Sequence, residues 1–498
     1  MLHVDFTSEK ALVNSIVEAI YHHSVCHDKV CLIDRNTKLT YSELFKKSLQ
    51  LAEVFTEMGL HEKDAFVFEN TQDSSFFIVE CAVHICGAVF VPVEKNATEE
   101  KILHVSKACK AKYIIAKKIG LSLEVLFEKA QAKGGLSGFP FPSPDSVSEI
   151  LFTTGTTGKQ KGVVLTHESS CTLAQNVIEG VGMKEDNVEM IPSPLNHSHG
   201  LRSCYANFYR GATVILQNGL LNLQKFFESI EQNGVTSMDL IPSALSLILK
   251  NSDNQLGAYK NQLRYVQFGA APLLDADKEK LLDLLPDTRL YNFYGSTESG
   301  RIIVYDFNCS NPKKNCIGKP VSNARICILD DNLHEIDSSK DNTGVLASIG
   351  RMNMKCYLDD EQETAKVVKD GMFVTHDEVY IDSDGDIILL GRKDDIINSG
   401  GYKISPADVE ENVLAINGIV DAICIAEPHE RMGSVPAVLA VRSLGSELTQ
   451  TDVLKILREK LEPFMIPHRV EFVESVERTY NGKLNRKFYK NYFTGEKS

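Results

Sequence analysis

The chain has 498 residues, of which 43% are hydrophobic and 24% charged, a globular composition that excludes a disordered, collagen-like or mainly coiled-coil protein. At roughly 100–200 residues per domain, this length implies two to four domains. Lys plus Arg number 53 against 67 Asp plus Glu, a net charge of −14, which disfavours a general nucleic-acid or membrane-surface binder but leaves room for a local phosphate pocket.

The N-terminal segment MLHVDFTSEK lacks the basic-then-apolar order of a signal peptide. Thr40-Tyr41-Ser42-Glu43 opens a helical pattern with Leu44, Leu51 and Val54 near one face, and Thr40 or Ser42 is expected to cap it. Residues 64–70 predict a short buried strand, Phe76 to Gly87 a helix, and 88–93 another strand. This switching of period predicts βα units and a largely parallel sheet. The most apolar long stretch, Ile78 to Val93, contains Glu80 and His84 and falls short of a membrane span. The twelve cysteines include no Cys-x-x-Cys pair, which points to reduced thiols in a cytoplasmic protein rather than a zinc ribbon or redox site.

Residues 131–148 are rich in Gly, Pro and Ser and predict a loop, and 151–167, LFTTGTTGKQKGVVLTH, read as strand, flexible loop, strand. Glycines let a backbone approach an anion, hydroxyls and N–H groups donate to it, and Lys159 and Lys161 supply charge. The spacing differs from a Walker A loop, because two residues separate Gly155 from Gly158 and Gln160 follows Lys159.

This segment resembles the phosphate loop of the adenylate-forming superfamily, the acyl-CoA synthetases and AMP-dependent synthetases and ligases, with Gln160 where proline is usual. The resemblance implies ATP contacts from Thr153, Thr154, Gly155, Thr156, Thr157, Gly158 and Lys161. PLNHSHGL (194–201) resembles the family's histidine motif and implies that His197 stands at the mouth of the acyl pocket. Two histidines at x+2 also suit a metal, although no cysteine or carboxylate cluster stands near them in sequence. QFGAAPL (267–273) resembles the turn whose Gly269, Ala270 and Ala271 line the adenine and acyl sites.

YNFYGSTESG (291–300) is similar to the family's adenine motif. It implies Tyr294 stacking on adenine, Asn292 reading its edge, Gly295 and Ser296 lining the nucleotide, Thr297 at the α-phosphate and Glu298 binding Mg²⁺. Residues 371–395 predict a hairpin turning at Asp384-Gly385. By resemblance Asp377 and Arg392 bind the ribose, Asp394 is a hinge, and Gly400 and Gly401 line the thiol tunnel. RTYNGKLNRK (478–487) resembles the family's C-terminal Gly-Lys motif, which implies that Lys483 is the catalytic lysine. Departures from the family pattern are Val345 in place of Glu, His376 in place of a small residue, and Glu477 where proline is frequent.

The resemblance implies an α/β fold: a large multi-subdomain N-terminal AMP-binding domain over 1–393 and a small mobile α+β C-terminal domain over 394–498. The implied reaction joins a fatty, aryl or other organic acid to ATP as acyl-AMP, releases pyrophosphate, and transfers the acyl group to coenzyme A. Two alternatives share the motifs: loading of an acyl carrier protein, and a non-catalytic nucleotide-binding protein. Neither nucleic acid nor a membrane span enters the expected partners. LRSCYANF (201–208) lacks the acid that amino-acid-activating members place after the histidine motif, so a free amino acid is disfavoured. Arg202 is a candidate partner for a second carboxylate, with a solvated arginine or a structural ion pair as its alternatives; the apolar 240–249 segment is either pocket wall or core helix.

Overall fold

The computed structural model describes residues 13–26, 29–154, 160–220, 222–309, 311–478, 484–489 and 492–493. These fall into two compact units, one running to Lys313 and adding Ile317–Ile326 and Ala347–Val374, the other comprising Lys314–Cys316, Cys327–Leu346 and Thr375 onward.

Within the first unit, a six-stranded sheet has the order Cys356–Tyr357, Gln160–Thr166, Val147–Thr154, Val89–Val93, Ala65–Glu69, Tyr113–Ile115. The last four strands run parallel, as the alternating strand and helix periods predict, while Val147–Thr154 and Gln160–Thr166 pair antiparallel. The helix Tyr41–Glu57 begins at Thr40, whose hydroxyl accepts from the Glu43 amide while the Glu43 carboxylate accepts from the Thr40 amide, a reciprocal cap. A second run of strands has the order Gly300–Asp306, Arg289–Ser296, Tyr265–Phe268, Ser237–Leu240, Val188–Ile191, Thr213–Leu216, Val30–Ile33, Lys38–Thr40. The strands from Arg289–Ser296 to Val30–Ile33 are parallel, so their C-terminal ends share one edge, where open α/β sheets place their ligands. The helix Pro242–Asn251 buries Leu245, Ile248 and Leu249 in this unit's core; it is a core helix.

In the second unit, residues 377–381 of the strand Met372–Ile381 pair antiparallel with Ile387–Arg392, and Gly385 takes φ +77° in the turn. A separate sheet has the order Tyr402–Ile404, Ile397–Ser399, Gly433–Arg442, Ile419–His429, with Arg469–Phe472 added parallel to Gly433–Arg442. The helices Pro406–Leu414 and Gln450–Lys460 bury Val409, Val413, Val453 and Leu457 against it.

All twelve cysteines are free. Among the described residues no helix is long and apolar enough to cross a membrane.

Candidate functional site

The site of the first unit is built where loops leave the parallel strands. After Ala65–Glu69, Gln72 donates through Nε2 to Ser193 O at 2.9 Å, and its Oε1 accepts from the Leu195 amide at 3.1 Å. These bonds fix the 193–197 loop that leads into the helix Ser198–Arg210. His197 is the N-cap of that helix, but its side chain makes no cap hydrogen bond. Desolvation lowers its imidazole pKa, Glu94 opposing and Lys101 reinforcing the shift, so the ring is neutral at pH 7, and the residue is exposed.

His199 faces inward. Arg301 Nη2 lies 3.1 Å from its Nδ1, and Asp239 Oδ1 lies 3.0 Å from its Nε2. An Arg donates only, so Nδ1 accepts, while Nε2 lies near the Asp239 carboxylate without a hydrogen bond to it. The x+2 histidine pair therefore does not present two free ligand nitrogens to a metal. Arg301 continues the network, donating to Gln267 Oε1 at 2.6 Å and Ser203 Oγ at 2.8 Å. Gln267 in turn donates to Glu189 at 2.6 Å. Burial, with the Asp239 charge next, raises the Glu189 carboxyl to about 8, so it is mostly protonated at neutral pH. The ring of His199 also floors the 269–271 turn: a Cβ on Gly269 would lie 2.9 Å from His199 Cε1. The following Ala270 is held at φ +69°, a left-handed conformation that costs free energy at a non-glycine residue.

Asn292 and Tyr294 lie on the Arg289–Ser296 strand beside this turn, Asn292 in register with Phe268. Asn292 Oδ1 is buried with no hydrogen-bond partner, an unmet acceptor that an adenine amino group would satisfy. Gly295 and Ser296 are exposed, and Thr297 and Glu298 are half-buried. The turn is shaped by Ser296 Oγ, which accepts from the amides of Glu298 at 3.2 Å and Ser299 at 3.1 Å.

Glu298 is gripped at both ends. Its carbonyl accepts from the Met354 amide at 2.6 Å, and its Oε1 accepts from Tyr357 Oη at 2.9 Å. The Tyr357 ring also lies 4.8 Å from Lys161 Nζ, and Lys161 pairs with Glu363 at 2.6 Å. Lys161 stands opposite Thr153 in the strand register, at the base of the phosphate loop. Thus Lys161, the register partner of Thr153, and Glu298, from two separate motifs, are linked through Tyr357. A half-buried carboxylate beside hydroxyls fits Mg²⁺, which takes oxygen ligands and keeps part of its hydration and phosphate oxygens. The loop residues Gly155, Thr156, Thr157 and Gly158, the side chain of Thr154, and Lys483 lie outside the described residues.

Arg202 departs from its expected place. Its side chain is 1% exposed and its Nη1 lies 2.5 Å from Glu149 Oε1, with Ser170 Oγ accepting at 3.1 Å. The buried carboxylate neutralises it inside the core, so it is a structural ion pair rather than a partner for a second substrate carboxylate.

In the second unit, Asp377 and Arg392 are register partners, with Arg392 Nη1 3.4 Å from Asp377 Oδ1. Asp394 is exposed in the turn that follows. Gly400 and Gly401 connect Ile397–Ser399 to Tyr402–Ile404 at φ +56° and +92°. Nothing lies within 4 Å of a Cβ placed on Gly401, whereas one on Gly400 would meet Met432. Past residue 483, Arg486 forms a fork onto Glu410, at 2.5 and 2.8 Å, and donates to Cys424 O at 2.9 Å.

Tyr357, Glu363, Asp239 and Arg301 escaped sequence reasoning. Tyr357 sits in a two-residue strand, Cys356–Tyr357, too short for any period to show, and the others belong to no motif.

The AMP-binding enzyme family matches residues 22–358, and the C-terminal domain of AMP-binding enzymes matches residues 408–483. The chain is 26% identical to 4-coumarate–CoA ligase 3 of Arabidopsis thaliana, covering 92% of this chain and 88% of that one. It is 27% identical to a 4-coumarate–CoA ligase of Pinus taeda, with 93% of each covered. Among solved structures, ATP-bound MatB from Rhodopseudomonas palustris matches with a TM-score of 0.84 at 20% identity, over 96% of this chain and 99% of that one. The o-succinylbenzoate CoA synthetase MenE from Bacillus subtilis, in complex with ATP and magnesium ion, matches with a TM-score of 0.82 at 21% identity, over 94% and 98%.

Proposed function

We propose, from the premise that this chain belongs to the AMP-binding enzyme family, that it is an AMP-forming acid–thiol ligase using ATP and coenzyme A. The substrate acid is a fatty, aryl or other organic carboxylic acid, and its relatives' names favour beginning with aryl acids such as 4-coumarate. The observation that carries the reading is the meeting of Lys161 and Glu298 across Tyr357, because it puts a phosphate-loop cation and a metal-binding carboxylate beside one another.

In the first half-reaction a carboxylate oxygen of the acid attacks the α-phosphorus of ATP. A P–O bond forms, the α–β bridge breaks, and pyrophosphate departs with the electron pair. Two anions must approach, so positioning and charge neutralisation supply most of the acceleration. Thr153, Thr154, Gly155, Thr156, Thr157, Gly158 and Lys161 hold the phosphates, while Thr297 donates to the α-phosphate. Glu298 would hold a Mg²⁺ ion, which would supply positive charge toward the phosphate oxygens. Asn292 accepts from the adenine amino group, Tyr294 stacks on the base, and Gly269, Ala270, Ala271, Gly295 and Ser296 form the walls. Asp377 and Arg392 take the ribose hydroxyls. Lys483 stabilises the charge that develops as pyrophosphate leaves.

In the second half-reaction the thiol sulfur gives up its proton to solvent and attacks the acyl carbon, the C–S bond forms, the acyl C–O bond to phosphate breaks, and AMP leaves with the electron pair. His197 lines the acyl side, and Gly400 and Gly401 leave room for the thiol arm. The open space beside Gly401 supports that role. The C-terminal segment, 394–498, turns about Asp394 between the two halves. Twelve free cysteines support the cytoplasm as its compartment.

Pyrophosphate release tested across a panel of carboxylic acids, with coenzyme A or a carrier protein as acceptor, decides the reading. Acid-dependent release with acyl-CoA formation is expected. Release with transfer only to the carrier protein would replace the acceptor, and no release with any acid would reduce the chain to a nucleotide-binding protein.

A further inference from the structure

We propose that Tyr357 is a positioning residue that keeps the phosphate-loop cation and the metal-binding carboxylate apart, and thereby sets the Mg²⁺ dependence of ATP binding. This rests on the functional reading above and assigns a role to a residue outside its motifs.

Lys161 and Glu298 carry opposite charges and both approach Tyr357, one at its ring and one at its hydroxyl. A direct pair between them would occupy the carboxylate that the metal needs. Among the described residues no ion pair joins them. Instead Lys161 is held between the Glu363 carboxylate at 2.6 Å and the Tyr357 ring at 4.8 Å. The ring face attracts a cation without neutralising it. The hydroxyl of the same tyrosine donates to Glu298 Oε1 at 2.9 Å, orienting the carboxylate with a neutral donor and leaving its negative charge intact.

The ring itself is fixed. Tyr357 is 6% exposed, and its strand pairs with the phosphate-loop strand at Tyr357↔Val163 and Cys356↔Val164. Its amide donates to Thr364 Oγ1 at 2.9 Å, which donates to Asp360 O at 2.8 Å. Thr364 and Glu363 share the helix Glu361–Val367, so one short segment places the tyrosine and the counter-ion of Lys161 together. The Met354 amide on the Glu298 carbonyl, at 2.6 Å, locks the same segment to the metal-binding turn. Groups that orient a ligating carboxylate typically change metal affinity by about 10–100-fold when removed.

The test is equilibrium binding of ATP by calorimetry without any acid, so that no turnover contributes, in EDTA and across a Mg²⁺ titration. Tyr357→Phe keeps the ring and removes the hydroxyl. It is expected to raise the Mg²⁺ concentration giving half of the metal-dependent gain by about tenfold or more, while ATP binding in EDTA stays at the wild-type level. Tyr357→Leu, lacking the ring as well, is expected to weaken binding in EDTA too. In a Glu298→Gln background, Tyr357→Phe should add no further shift in the Mg²⁺ midpoint, because the oxygen it orients no longer carries the charge. A merely structural tyrosine would lower the melting temperature and weaken binding equally with and without metal. A wild-type Mg²⁺ midpoint in Tyr357→Phe, or an equal loss in both conditions, would overturn this inference alone. Failure of the wild-type protein to bind ATP with Mg²⁺ would overturn the functional reading with it.

Discussion

At Glu189, complete burial beside Asp239 raises the carboxyl pKa from 4.5 to about 8. Because the folded value lies above the unfolded one, the neutral acid's contribution is complete below about pH 4.5 and is lost as pH rises through about 8. Glu189→Gln keeps the shape and cannot ionise. Its urea midpoint relative to wild type is therefore expected to climb between pH 5 and pH 9; a constant difference would contradict the shift. Arg202 makes a second case. Arg202→Met strands Glu149 in the core and should cost about 3–5 kcal/mol, and adding Glu149→Leu should recover most of it. Urea denaturation of the single and double variants checks this; a stable single variant with altered acid selectivity would return Arg202 to the pocket. The Glu189 environment was not legible in the sequence, and for Arg202 the sequence left a structural ion pair open without showing its partner. The partner of Arg202 is 53 positions away, and Asp239 and Arg301 approach His199 from separate strands, so only folding brings the charges together.

Elements were more legible than contacts, because hydrophobic period and cap chemistry are local. The Thr40 cap with Glu43, the strands Ala65–Glu69 and Val89–Val93, and the turn at Asp384-Gly385 all follow from residues a few positions apart. The strand–loop–strand at 151–167 is likewise met by Val147–Thr154 and Gln160–Thr166. The short piece Cys356–Tyr357 and the helix Glu361–Val367 were not legible, since their placement comes from pairing with the phosphate-loop strand. That helix carries Glu363, whose carboxyl pKa is held down to about 2, first by Lys161 and then by Lys366. A depressed folded value means that the pairing contributes stability above about pH 4.5 and loses it as pH falls toward 2. The stability gap between wild type and Glu363→Gln should therefore be full at pH 7 and shrink toward zero at pH 2. A gap unchanged by acid would show that the ion pair contributes nothing.

On the scale of the whole molecule, the chain's two compact units divide the proposed labour, with the nucleotide turn and phosphate-loop strands in one and the ribose pair Asp377–Arg392 and the Gly400–Gly401 connection in the other. The sequence reading put Asp377 and Arg392 in the N-terminal domain, 1–393, whereas they fall in the second compact unit; the discontinuous path of the units was not legible, because segments such as 327–346 join a unit distant in sequence. If Lys483 serves adenylation alone, Lys483→Ala should abolish acyl-adenylate formation yet spare thioester formation from a supplied acyl adenylate, measured as acyl-CoA release. Equal loss of both would contradict the alternation of the C-terminal segment. The most direct measurement is exchange of labelled pyrophosphate into ATP, with Mg²⁺ and a carboxylic acid but no thiol. The account predicts exchange that appears only when an accepted acid is present and disappears in Glu298→Gln and Lys483→Ala; exchange without acid, or none with any acid across a broad panel, would contradict it.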